Sequence, residues 1–177
     1  MKIMDLQAVV RSRLFWLVLI FLGFALEATA LYYQYVRQEP PCIVCIHFRL
    51  LVAAMIILAT AGLFLRNNKV FRWIIMLLLL LVFITMIDRS YQLLGTERGF
   101  FIGSCSMDLG FPKWFAIDKW LPWIFAVKTT CGYTPVLAFG ITMAEALMGL
   151  SIVLTLLATV LLFAISKRRK GLNFRGL

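Results

Sequence analysis

The sequence predicts an all-α membrane protein: a four-transmembrane-helix bundle with one long outer loop that carries an interfacial amphipathic helix. Three observations lead there. The 177 residues are 63% hydrophobic and only 15% charged, with a mean hydropathy of +0.94, far more apolar than a soluble domain of this length. The apolar residues gather into four runs, at about 14–35, 45–65, 71–87 and 143–165, close to the roughly 20 residues that a helix needs to cross hydrocarbon. The cations stand at the ends of these runs and not along a soluble face. The formal net charge of +10 is therefore the positive-inside pattern of a membrane protein and requires no nucleic-acid partner.

Taken in order, the chain opens with a short basic segment, Met1 to Arg13, holding Lys2, Arg11 and Arg13. The first span, Leu14 to Tyr35, is interrupted only by Glu27 and Gln34. Ala28-Thr29-Ala30 resembles a signal-peptidase site, but the apolar run is too long and Glu27 stands just before the cut, so an uncleaved helix is expected. A carboxylate in the outer half of a span is expected to pair with a polar or cationic neighbour. A short loop, 36–44, leads to the second span. Arg66-Asn67-Asn68-Lys69, with Arg72 just beyond, forms a polar turn before the third span, which ends at Asp88-Arg89. The long outer loop is 88–142, and the last span is followed by Lys167-Arg168-Arg169-Lys170, a topology anchor that touches anionic lipid. Three cations precede span one, three lie between spans two and three, and five follow span four. That side is cytoplasmic by the positive-inside rule, with both termini on it. The chain is one membrane domain.

The chemistry gathers in Pro40-Pro41-Cys42-Ile43-Val44-Cys45-Ile46-His47-Phe48-Arg49. Proline suits the start of a helix, where its missing N–H costs nothing. Cys42 and Cys45 are thus placed in the first turn of the second span, where unpaired N–H groups and the helix dipole favour the reactive thiolate. Arg49 is four residues after Cys45 and seven after Cys42, so all three share a face. A cation one turn deeper than a thiol, in an apolar helix, is costly unless it has a task. His47 points about 200° round from Cys45 and reads as a wet interfacial histidine.

The outer loop holds the other two cysteines, Cys105 and Cys131. Between them, Pro112 to Phe125 sets Trp114, Phe115, Trp120 and Trp123 around Lys113, Asp118 and Lys119. The segment is too short and too charged to span, and reads as a helix lying in the interface, bent or broken at Pro122. All four cysteines then face the outer, oxidising compartment. Each has a blander reading. Cys105 and Cys131 alone suit a structural disulfide. Four cysteines could hold zinc, but such sites show two close-spaced pairs, so no metal is expected.

With those motifs in hand, the chain resembles the DsbB family, disulfide bond formation proteins of the bacterial inner membrane. The resemblance covers nearly the whole length and rests on Ala25-Leu26-Glu27-Ala28-Thr29-Ala30-Leu31, Pro41-Cys42-Ile43-Val44-Cys45 with Arg49, the two loop cysteines, and Phe111-Pro112-Lys113-Trp114 followed by Asp118-Lys119-Trp120. Phe48 departs from it, standing where an acidic or amide residue is expected, and Leu93 to Gly103 carries no histidine. The resemblance implies a protein-dithiol:quinone oxidoreductase. Its partner is a periplasmic DsbA-like oxidase of thioredoxin fold, which attacks Cys105. Cys131 then attacks Cys42, and Cys45 passes an electron pair to a bound quinone, ubiquinone or menaquinone, beside Arg49. Two other readings stand next to it: a vitamin K epoxide reductase-like bundle, which places its quinone-proximal pair late in the chain, and a membrane scaffold whose loop disulfide is structural.

Overall fold

In the computed structural model all four apolar runs are helical. The structure describes residues 3–100, 121–125, 127, 129, 136–138 and 140–173. Its elements are α1 (Ile3–Arg11), α2 (Arg13–Tyr35), α3 (Ile43–Leu65), α4 (Lys69–Glu97), α5 (Pro122–Phe125), β1 (Val136–Ala138), β2 (Ile141–Thr142) and α6 (Met143–Asn173). Helices α2, α3 and α4 and the Met143–Ser166 part of α6 are each long and apolar enough to cross a membrane. Cys105, Cys131 and the 112–120 part of the expected interfacial helix lie outside the described residues. What is described of that segment is α5, with Pro122 at its first position, where a missing N–H removes no helical bond.

Local chemistry sets the helix ends. Ser12 caps α2, its hydroxyl accepting from the Phe15 amide at 3.3 Å, and Asn68 caps α4 by accepting from the Val70 amide at 3.1 Å. Each side-chain oxygen satisfies an amide that a helix start otherwise leaves unpaired. Helix α4 runs on past Asp88 and Arg89, where the apolar run ends, to Glu97. The polar stretch bonds within itself, Gln92 donating to Asp88 at 3.0 Å and Arg89 donating to Gln92 at 3.2 Å, and such neighbours one turn apart support a helix. It stops just before Gly99, whose φ of 72° takes the backbone into the left-handed region.

Packing follows chain order: α2 lies against α3, α3 against α4, and α4 against α6. The shared core includes Trp16, Leu19, Val52, Met55, Leu79, Phe83 and Leu161. Small residues allow close approach, as in other membrane bundles. A Cβ on Gly62 would fall 2.2 Å from Trp16 Cζ3, so the indole lies directly on the glycine. Outward-facing Phe21, Phe24, Ile57, Phe64 and Phe163 are exposed, as lipid-facing side chains are. Within the spans, the hydroxyls of Thr60, Thr85, Ser90, Thr155 and Thr159 each donate to the carbonyl four residues earlier, which spares these five groups exposure to hydrocarbon without a partner.

Two features have no counterpart in the sequence reading. The basic N-terminal segment is a helix. There α1 packs against both α6 and α2, with Gln7 donating to the Ala164 carbonyl at 2.6 Å and the buried Trp16 indole N–H donating to the Val10 carbonyl at 2.9 Å. A small hairpin, β1 with β2, turns at Gly140 (φ 80°) and delivers the chain into α6. Arg98 pairs with Glu145, and Thr142 donates to Glu97 at 3.2 Å, fastening the end of α4 to the start of α6. The main chains of α2 and α6, in contrast, scarcely approach within 8 Å of each other among the described residues. The ring of helices is therefore closed on three sides. At one end α1 straps the fourth side; at the other, among the described residues, no helix bridges α2 and α6.

Candidate functional site

The end without such a strap among the described residues is the Cys42 end. Cys42 takes an extended conformation, φ −85° and ψ 169°, and is the N-cap of α3, not a residue of its first turn. Its Sγ accepts from the Cys45 amide at 3.4 Å. The helix start thus holds the sulfur where unpaired N–H groups stabilise a thiolate. The two sulfurs lie 2.8 Å apart, closer than non-bonded atoms of their size rest and longer than a disulfide bond of about 2.05 Å. Cys42 is only 2% exposed and Cys45 is half-buried. The Cys42 main chain also forms a parallel bridge with Thr129, so that residue lies directly against the pair.

Arg49 is buried and held by three hydrogen bonds. One terminal nitrogen donates to Gln34 Oε1 at 2.5 Å and to the Ile124 carbonyl at 3.0 Å, and the other donates to the Ala30 carbonyl at 2.9 Å. Gln34 in turn donates to the Trp123 carbonyl at 2.9 Å, and the Tyr35 hydroxyl donates to the same oxygen. Trp123 and Ile124 belong to α5, a helix too short to satisfy its own carbonyls. Arg49, Gln34 and Tyr35 therefore bind the loop helix to the bundle. All three acceptors of the guanidinium are neutral, so its charge is not cancelled by contact.

A cavity of about 210 Å³ opens beside this lattice. Its wall brings together Cys42, Cys45, Arg49 and Glu27, with Phe48, Leu93 and Leu147 among its apolar members. Tyr33 and Leu26 contribute from α2, and Met143 and Leu150 from α6, so the cavity lies at the unclosed side of the ring. Glu27 Oε1 is buried there without a hydrogen-bond partner among the described residues; the cationic neighbour expected of the carboxylate is Arg49, within electrostatic reach of it but not in ion-pair contact. His47 is not among the lining residues; it is half-buried, with Nδ1 shut off from solvent.

Sequence reasoning missed Gln34 as a member of the site. A signal existed: Glu27 and Gln34 are the two polar interruptions of the first span, seven residues apart and hence on one helix face. No pattern in the chain foretold that the carbonyls of α5 would return to meet them. Cys105 and Cys131 are outside the described residues, so the geometry covers two of the four predicted cysteines and Arg49.

The chain matches the family model for disulfide bond formation protein DsbB over residues 12–161. It is 32% identical to disulfide bond formation protein B 2 of Pseudomonas aeruginosa over 135 residues, covering 75% of this chain and 80% of that one. Disulfide bond formation protein B of Haemophilus influenzae is 32% identical over 175 residues, 90% of this chain and 91% of its own. The protein of the same name from Vibrio alginolyticus is 32% identical over 129 residues, with 68% and 74% covered.

Proposed function

The chain belongs to the DsbB family of disulfide bond formation proteins, and from that premise we propose that it is a thiol:quinone oxidoreductase of the bacterial inner membrane. In this reading it reoxidises a periplasmic DsbA-like thiol oxidase and delivers the electrons to ubiquinone or menaquinone. Both termini lie in the cytoplasm and the four cysteines face the periplasm, as the cation distribution suggests.

The observation that carries the proposal is one cavity wall shared by Cys45, Arg49 and the buried carboxylate of Glu27. An apolar cavity of about 150 Å³ accommodates a benzene ring, so a single substituted ring fits this one. Its lining is largely apolar with a few convergent polar groups, the usual character of a small-molecule site. Phe48, the departure from family expectation, is 6% exposed and forms part of that wall, a place where an apolar ring costs nothing. A quinone bound there supplies an acceptor for two electrons.

The residues of the chain account for the rest. The partner's thiolate attacks Cys105 of a Cys105–Cys131 disulfide, forming a mixed disulfide, and the Cys131 thiolate leaves. Cys131 attacks Cys42 of the Cys42–Cys45 disulfide, and the electron pair leaves on the Cys45 sulfur. Resolution by the partner's second thiol and then by Cys105 releases oxidised partner and restores the outer disulfide, leaving Cys42 and Cys45 reduced. Arg49 fixes a positive charge where negative charge develops in a low-dielectric site, the arrangement in which electrostatic stabilisation is strongest. The lattice on α5 keeps the loop, and with it Thr129 two residues before Cys131, against Cys42.

The test is a single-turnover experiment on purified protein with Cys42 and Cys45 reduced. Adding ubiquinone or menaquinone should reoxidise the pair, read by thiol trapping, with loss of one equivalent of oxidised quinone. A pair that stays reduced with both quinones would overturn the proposal in favour of a structural disulfide.

A further inference from the structure

The end of the bundle remote from Cys42 gathers three arginines from three segments of the chain. Arg11 ends α1, Arg66 caps α3, and Arg72 stands in the first turn of α4. Their hydrogen bonds go to main chain: Arg66 donates to the Arg11 carbonyl at 3.4 Å, and Arg72 to the Arg66 carbonyl at 2.8 Å. Arg72 Nε is buried with no hydrogen-bond partner among the described residues, and Arg11 lies within electrostatic reach of it. Among the described residues, no ion pair joins any of the three to a carboxylate. The N-termini of α2 and α4 open at the same edge, neither with an acidic residue in its first turn, and each adds a partial positive charge.

Like charges held together at a low-dielectric edge, one with an unsatisfied buried donor, are unfavourable unless an anion lies among them. We propose that Arg11, Arg66 and Arg72 form a binding site for a phosphate-bearing anion, supplied by the headgroup of an anionic phospholipid. Two features favour the lipid over free phosphate. Helix α3 separates Arg66 from Cys42 by 23 residues, about 35 Å at the helical rise, which sets the arginines at headgroup depth in one leaflet. Around them stand Leu14, Phe64, Leu65, Val70 and Phe71, all exposed. An acyl chain covers such a surface; inorganic phosphate does not. The inference is independent of the quinone reading, since no residue of the cavity takes part.

The experiment uses the full chain in neutral detergent, with native mass spectrometry reading uptake of dioleoylphosphatidylglycerol against dioleoylphosphatidylcholine. Phosphatidylglycerol should be retained preferentially, at one molecule per chain. Arg72→Gln and Arg66→Gln should each weaken retention about fivefold, the worth of one basic side chain near an anionic surface. Arg72→Lys should restore most of it, and Arg89→Gln, at the other end of α4, should leave it unchanged although it removes the same charge. Radiolabelled inorganic phosphate forms the second arm: tight binding without lipid, abolished by the same substitutions, would assign the site to the free anion. Equal retention of the two lipids, or equal loss in Arg72→Gln and Arg89→Gln, would overturn the site.

Discussion

At the scale of the residue, Arg49 carries two duties that a sequence cannot separate. Its charge borders the cavity, and one of its nitrogens holds the Ile124 carbonyl of α5. Arg49→Leu should therefore slow both quinone reduction and the transfer from Cys131 to Cys42. Gln34→Leu separates the two. It removes the bond to Trp123 and leaves the guanidinium charge in place, so it should slow the transfer about fivefold, the worth of one hydrogen bond, with quinone reduction from pre-reduced Cys42 and Cys45 unchanged. Quenched-flow thiol trapping for the first step and quinone absorbance for the second distinguish them; equal effects of both substitutions on both steps would show that the charge has no role of its own. Glu27 yields a prediction of opposite sign for stability. A carboxylate oxygen buried without a hydrogen-bond partner among the described residues is costly even with Arg49 in electrostatic reach, so Glu27→Leu should raise resistance to thermal unfolding by about 1–3 kcal/mol while weakening quinone use. Thermal melts monitored by circular dichroism in detergent, beside steady-state quinone kinetics, check both halves.

At the scale of the element, the most exacting contact is α2 against α3, where Trp16 rests on Gly62. A methyl group there has no room, because the nearest atoms belong to a buried indole ring that is itself held by the Val10 carbonyl. Gly62→Ala should destabilise the bundle by about 1–3 kcal/mol, the range for overpacking a filled core, read as a lower thermal midpoint. Gly149→Ala, on α6, where an added Cβ meets nothing within 4 Å, should be neutral or slightly stabilising. The four spans were legible because hydrocarbon demands long apolar runs, and that demand is written into composition. The end of α4 was not, because Asp88 and Arg89 mark where the apolar run stops and not where the helix stops; only Gly99 does that. Helix α1 went unread although Ile3, Leu6 and Val10 repeat at helical spacing, since its basic residues already had an explanation. The Arg49–Gln34–α5 lattice could not be read at all, as its two acceptors on α5, Trp123 and Ile124, are main-chain carbonyls.

At the scale of the whole molecule, helices joined in chain order leave one side that no described residue of α2 or α6 seals by packing on the other, with the cavity behind it. A site reached through such a gap is supplied by the bilayer, and its supply obeys the arithmetic of a two-dimensional solution. If the proposed quinone reading holds, what matters to it is the number of quinone molecules per lipid, and the volume of surrounding buffer is irrelevant. In proteoliposomes, diluting the suspension tenfold with buffer should leave turnover per protein unchanged. Fusing the same vesicles with quinone-free lipid should lower turnover in proportion to the fall in mole fraction, as long as the site is unsaturated. A rate that tracked bulk concentration would mean that quinone arrives from the water side. A Michaelis constant for this protein is then properly expressed as a mole fraction, and values quoted per litre of detergent solution would vary with the detergent added.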